Sequence, residues 1–200
     1  MMVRSLSRKT DNSKLNAKLA LRRYFLGKYH ADQPPRVIDA CCGDGVIWQT
    51  LRAGTGAKGF ELASYLAIDK KPKRGRLAMD SVEFLAQPGW AADILDIDIN
   101  GSPWTHYAAA LPNIPGPLTV FLTIGQLNRP KCDPVVLRAL GMGNLKPPAT
   151  ILGRLHSFAL TYCLAMCHDH DLTLVEAVEA PRAANARYIG ARLEPARMST

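Results

Sequence analysis

The sequence predicts one α/β domain built on a mostly parallel sheet, and three features predict it. An apolar run ending at Asp39 leads into a glycine-bearing turn and then into Val46 to Arg52, which has helical spacing: a strand, a tight turn and a helix. Short apolar runs recur along the chain, giving seven strand candidates near 36–39, 65–69, 75–79, 92–98, 117–125, 172–178 and 186–193. The last two follow each other without a helix between them, so they are expected to form a terminal antiparallel hairpin.

Size and composition bound the reading. Two hundred residues, 48% hydrophobic and 21% charged, suit a globular domain over residues 13–200 with a substantial core. No apolar run reaches the length of a membrane span, and the basic N-terminus is followed by no secretory-type apolar stretch. The five cysteines make no disulfide framework, so reduced thiols and a cytoplasmic location are expected. Of the net charge of +8, residues 1–30 carry +7: Arg4, Arg8, Lys9, Lys14, Lys18, Arg22, Arg23 and Lys28 against Asp11 alone. A basic segment on a nearly neutral body either attracts a polyanion such as RNA or DNA or acts as a solubilising tail.

In chain order, residues 1–12 are expected to form a disordered basic arm. A helix follows from Ser13 to about Tyr29, with Leu15, Leu19 and Tyr24 or Leu26 on its apolar face and its cations on the other. Pro34-Pro35 leads into the first strand. The turn after it holds Gly43 and Gly45, where the backbone can approach a ligand, and the helix start beyond offers N–H groups to a carboxylate or phosphate. An acidic side chain at the strand end, Asp39, can take a cationic amine. A dinucleotide fingerprint would need a third glycine where Trp48 stands. The stretch Asp39 to Gly45 instead resembles the D-x-G-x-G-x-G motif of class I S-adenosylmethionine (SAM) methyltransferases, with Asp39, Gly43 and Gly45 matching and Cys41 replacing the first glycine.

Asp69 ends the second strand, 24 residues beyond Gly45, the spacing at which nucleotide-binding α/β domains place a ribose-binding carboxylate. Lys70, Lys71, Lys73, Arg74 and Arg76 follow, in a connection too short for a full crossover helix. Asp80 or Ser81 caps the next short helix, and the resemblance also implies a contact of Asp80 with adenine.

Asp98-Ile99-Asn100-Gly101-Ser102-Pro103 resembles the D-P-F-G-S-P motif of tRNA guanine-N2 dimethyltransferases and, more distantly, the D-P-P-Y motif of nucleobase N-methyltransferases. Asp98, Gly101, Ser102 and Pro103 match; Ile99 replaces the proline and Asn100 the aromatic. Ser102 is expected to cap a helix begun by Pro103, and Trp104 and Tyr107 to project near the cleft. Gln126, Asn128 and Arg129 lie at the end of a further strand, residues 130–148 form a loop or a small inserted element, and a long helix runs from Ile151 to about His168. Cys163, Cys167, His168 and His170 lack standard zinc spacing, so no metal is expected.

The resemblance implies a Rossmann-like class I methyltransferase fold, with helices on both faces of the sheet. It implies SAM as cofactor, held by Asp39, Cys42, Gly43, Gly45, Asp69 and Asp80. The acceptor is expected at Asp98 and Asn100, with Trp104 and Tyr107 against the substrate. A nucleobase amine of RNA or DNA is the expected acceptor. The alternatives are a methyltransferase of a small molecule or protein, and a non-catalytic nucleic-acid-binding protein of the same fold.

Overall fold

The computed structural model describes residues 14–54, 59–71, 73–99, 101–125, 133–143, 159–180 and 186–196. The basic arm, Asn100, the Gln126–Asn128–Arg129 group and the start of the helix expected from Ile151 lie outside them, as does the 130–148 segment apart from 133–143.

The strands are β1 (Arg36–Ala40), β2 (Ser64–Asp69), β3 (Leu77–Ala78), β4 (Ile94–Ile97), β5 (Leu118–Gly125), β6 (Leu172–Glu179) and β7 (Ala186–Pro195). They form one sheet in the order β3-β2-β1-β4-β5-β7-β6. The first five pair in parallel, and β7 lies antiparallel between β5 and β6. The direction of winding reverses between β1 and β4, where open α/β sheets leave a crevice at the carboxyl ends of their strands. All seven expected strands are present, β3 reduced to the two residues Leu77 and Ala78.

Five helices have both ends among the described residues: α1 (Leu15–Tyr29), α2 (Val46–Ala53), α3 (Ser81–Leu85), α4 (Trp104–Ala110) and α5 (Pro134–Ala139). Alternation along the strands splits the core between two faces. Val37, Ile94 and Phe121 pack under α1 and α2 with Leu19, Phe25, Leu26, Trp48 and Leu51. Ile38, Leu95, Ile97 and Val120 pack against Leu85 of α3, Trp104 and Tyr107 of α4 and Val135 of α5. The 133–143 segment is thus a small inserted helix, started by Asp133, whose side chain accepts from the Val135 N–H. Residues 159–165 are helical and continue into a 3-10 turn, Met166–His170. In that region Cys163 and Cys167 are core residues, while His168 and His170 face solvent.

α1 crosses the sheet beside β7. Phe25 is fully buried there, edge-on to Phe121 at 5.7 Å between ring centres. Burying such a ring contributes about 1.5–3 kcal/mol. Gly190 of β7 makes room for it, since a Cβ at that position would overlap the Phe25 ring. At the exposed end of α1, Glu176 of β6 accepts from Tyr24, Lys28 and Tyr29.

The expectation for α1 is corrected at two cations. Lys18 and Arg22 are buried beside Leu19, Leu21, Phe25 and Leu26, whereas Tyr24 is exposed. The amphipathic reading put every cation on the face opposite the apolar one; here two of them turn inward and meet carboxylates on β4 and just beyond it.

Candidate cofactor and acceptor site

β1 ends in a backbone that turns back on itself. Cys41, Gly43 and Gly45 all have positive φ, at 94°, 53° and 68°. Glycine adopts such values without steric cost; Cys41 does not, and its neighbours hold it there. The Cys41 and Cys42 N–H groups both donate to the Ile68 carbonyl of β2, at 2.9 and 3.0 Å. The Cys41 thiol lies 3.1 Å from the Ser81 hydroxyl and 3.4 Å from His106 Nε2, and Ser81 and His106 are themselves 3.0 Å apart. Burial pushes the Cys41 thiol up to about 12 and lowers His106, so this cluster is neutral at physiological pH.

Asp69 closes the bend from β2. One of its oxygens accepts from the Gly43 N–H at 3.1 Å and lies 3.4 Å from Arg76; the other accepts from the Lys71 N–H at 2.9 Å. Arg76 also donates to the Gly43 carbonyl. Asp80 caps α3 through the Val82 N–H and pairs with Lys70 at 2.7 Å. Capping and cation pairing together hold its carboxyl below the usual range, Lys70 contributing most. Lys73 pairs with Asp44 on the same rim.

Asp39 and Asp98 meet beside Gly45. An opening of about 20 Å³ is lined by Asp39, Cys42, Gly45, Val46, Ile47 and Asp98. The glycine bend and the Asp98 motif therefore converge at the crevice between β1 and β4, at the start of α2. Tyr65 donates to Asp39 at 2.7 Å. Burial and the neighbouring Asp96 push the Asp39 carboxyl well up, against the opposing pull of the Tyr65 hydrogen bond and of Arg22.

The structure adds a buried ion network to the expected site. Asp96, 1% exposed, accepts from Arg22 Nε at 2.7 Å, from Arg22 Nη2 at 2.6 Å and from the Trp48 indole at 2.8 Å. Arg22 in turn lies 4.8 Å over the Phe121 ring. Lys18 Nζ reaches both oxygens of Asp98 at 2.7 Å. Burial works to raise the Asp98 carboxyl; Lys18 and Arg22 outweigh it and keep it below the usual range, hence ionised. The period-2 pattern of Ile94, Asp96 and Asp98 is the signal that could have revealed Asp96: it puts a carboxylate inside the core, where it needs a cation.

Three expectations at this end are corrected. Trp104 and Tyr107 are 1% and 0% exposed, because the phase of α4 turns both toward the sheet; the Tyr107 hydroxyl donates to the Leu164 carbonyl in the core. Neither presents a face to a substrate in this conformation. Pro103, not Ser102, holds the N-cap position of α4, and the Ser102 hydroxyl has no hydrogen-bond partner among the described residues. Asn100 lies outside the described residues.

Trm1 from Pyrococcus horikoshii, solved with S-adenosyl-L-methionine, matches with a TM-score of 0.60 at 15% identity, over 91% of this chain and 55% of that one. The chain has the Rossmann-like class I methyltransferase fold. The N-methyltransferase NodS from Bradyrhizobium japonicum WM9, solved with S-adenosyl-L-homocysteine, matches with a TM-score of 0.52 at 12% identity, over 94% of this chain and 89% of that one. A putative hemolysin from Streptococcus thermophilus matches with a TM-score of 0.52 at 13% identity, over 98% and 69%. The chain spans about half the length of Trm1. No family model and no curated protein matches the sequence.

The class I methyltransferase fold accounts for β7 lying antiparallel between β5 and β6, which an ordinary dinucleotide-binding sheet does not have. Within it, the residues present suit a nucleoside sulfonium in part; the opening, about 20 Å³ and so room for about one water, must widen to admit it. The bend, the start of α2 and ionised Asp98 suit the amino-acid and sulfonium end. Asp69 and Asp80 do not line the opening; each is partly buried and already paired with a cation, Arg76 and Lys70.

Proposed function

We propose that the chain is a SAM-dependent methyltransferase whose acceptor is a nucleobase amine of RNA or DNA. The observation that carries this reading is the convergence of the Gly43–Gly45 bend and Asp98 on one opening at the β1–β4 crevice. SAM would supply the electrophilic methyl group. The chain's part is alignment: the bend and the N–H groups of α2 orient the amino-acid end, Asp69 the ribose, Asp80 the base, and Asp98 the acceptor amine. An ionised Asp98 accepts from that amine and stabilises the positive charge that grows on its nitrogen. The resemblance of Asp98 to Pro103 to nucleobase methyltransferase motifs supports the acceptor class, and reduced cysteines agree with a cytoplasmic location.

A second reading, methylation of a small molecule or protein, is favoured by the ion pairs of α1. Lys18, Arg22 and Lys28 are engaged by Asp98, Asp96 and Glu176, which reduces the charge α1 offers to a polyanion. Incubation with methyl-labelled SAM and separate RNA, DNA, protein and small-molecule pools tests both. Label in RNA or DNA, falling steeply with added salt, supports the first reading. Label confined to the other pools supports the second, and cofactor binding with no transfer to any pool leaves a non-catalytic protein of this fold.

A further inference from the structure

α1 makes two contacts with acidic groups of the β4 region, and they differ in kind. Arg22 and Asp96 form a forked, fully enclosed pair, 2% and 1% exposed, with Trp48 completing the carboxylate's partners. Such a pair fixes geometry. One helical turn earlier, Lys18 reaches Asp98 as a point charge on a flexible stem. Asp98 is 16% exposed and lines the opening. The Lys18 ammonium also lies 5.1 Å from the centre of the Tyr188 ring. A carboxylate with an aromatic face beside it is a built seat for a nitrogen that bears hydrogens and positive charge.

We infer that Lys18 is a specificity-determining residue of the acceptor seat: its ammonium fills the place at Asp98 that an acceptor amine takes, and only an amine able to replace it is held there. The inference rests on the proposed role of Asp98 in holding the acceptor. A ligand that presents no donor there, such as one with a carbonyl oxygen in the amine's place, cannot satisfy Asp98 once Lys18 withdraws, and a buried carboxylate left unpaired is costly. Arg22 keeps α1 anchored while the Lys18 side chain swings out. The occupied seat weakens every acceptor by the fraction of time Lys18 holds it, so removing the ammonium tightens amine binding.

The test is titration of wild type, Lys18→Met and Lys18→Gln with cytidine, which carries an exocyclic amine, with butylamine, and with uridine, which has no such amine. Each is done with and without S-adenosylhomocysteine. The expected result is binding of cytidine or butylamine about tenfold tighter in the variants, with uridine unchanged. Lys18→Gln keeps an N–H donor toward Asp98 and is read if Lys18→Met does not fold. In wild type, saturating cytidine, whose conjugated amine competes little for the reagent, should raise the rate at which acetic anhydride labels Lys18 severalfold. Equal or weaker amine binding in the folded variants, or a Lys18 labelling rate unchanged by bound amine, overturns the inference. Failure of S-adenosylhomocysteine to bind any of the proteins counts against the proposed function instead, and the cofactor-free titrations still decide the role of Lys18.

Discussion

Asp39 and Asp96 are direct partners across the parallel β1–β4 pair, two carboxyl groups side by side on the α1 face of the sheet. The fold tolerates them by treating them differently. Asp96 is enclosed by Arg22 and Trp48, and Asp39 is bonded by Tyr65 and pushed toward its protonated form by burial and by Asp96.

This asymmetry sets a pH dependence. Because the folded chain raises the Asp39 pKa above its ordinary value of about 3.9, the native state binds more protons than the unfolded state over the interval between the two. Stability from this group is therefore full below the unfolded value and falls as pH rises through that interval. Asp39→Asn should flatten that fall and melt at an equal or higher temperature than wild type at neutral pH. Thermal melts of both proteins across pH check it, and parallel profiles would refute the raised pKa.

Arg22→Met should be among the most destabilising substitutions in α1. It leaves Asp96 buried without its cation, a loss of about 3–5 kcal/mol by urea unfolding. Adding Asp96→Asn should recover part of the loss, since the amide carries no charge to strand.

Gly190→Ala should cost about 1–3 kcal/mol, because its methyl group overlaps the buried Phe25 ring. Phe25→Leu in the same chain should reduce the penalty of the added methyl. Additive losses in the double variant would show that the two residues do not press on each other.

Cys41 and Cys42, with thiols pushed up to about 12 and about 11 by burial, should alkylate slowly at pH 8 in the native protein. Peptide mass spectrometry after iodoacetamide treatment, with and without urea, should show their labelling appear only on unfolding.

Strand pattern and spacing made much of the fold legible before any coordinates. The apolar runs marked all seven strands, the absence of a helix between β6 and β7 marked the hairpin, and Asp80 is the cap of the two candidates, Asp80 and Ser81, that the sequence offered. What the chain hid was long-range pairing. Lys18 and Arg22 look like solvent cations because their partners Asp98 and Asp96 lie 80 and 74 residues away. Trp104 and Tyr107 look like cleft aromatics because they follow the Asp98 motif, yet the phase of α4 turns them into the core. The Cys41–Ser81–His106 cluster was equally hidden, being assembled from three separate elements.

Calorimetric titration of the wild-type chain and of Asp69→Ala with SAM and with S-adenosylhomocysteine tests the central claim most directly. The account predicts saturable one-to-one binding of both ligands to wild type, weakened about tenfold or more in Asp69→Ala by loss of the charged hydrogen-bond acceptor. No binding to wild type, or equal affinity in the two proteins, would contradict it.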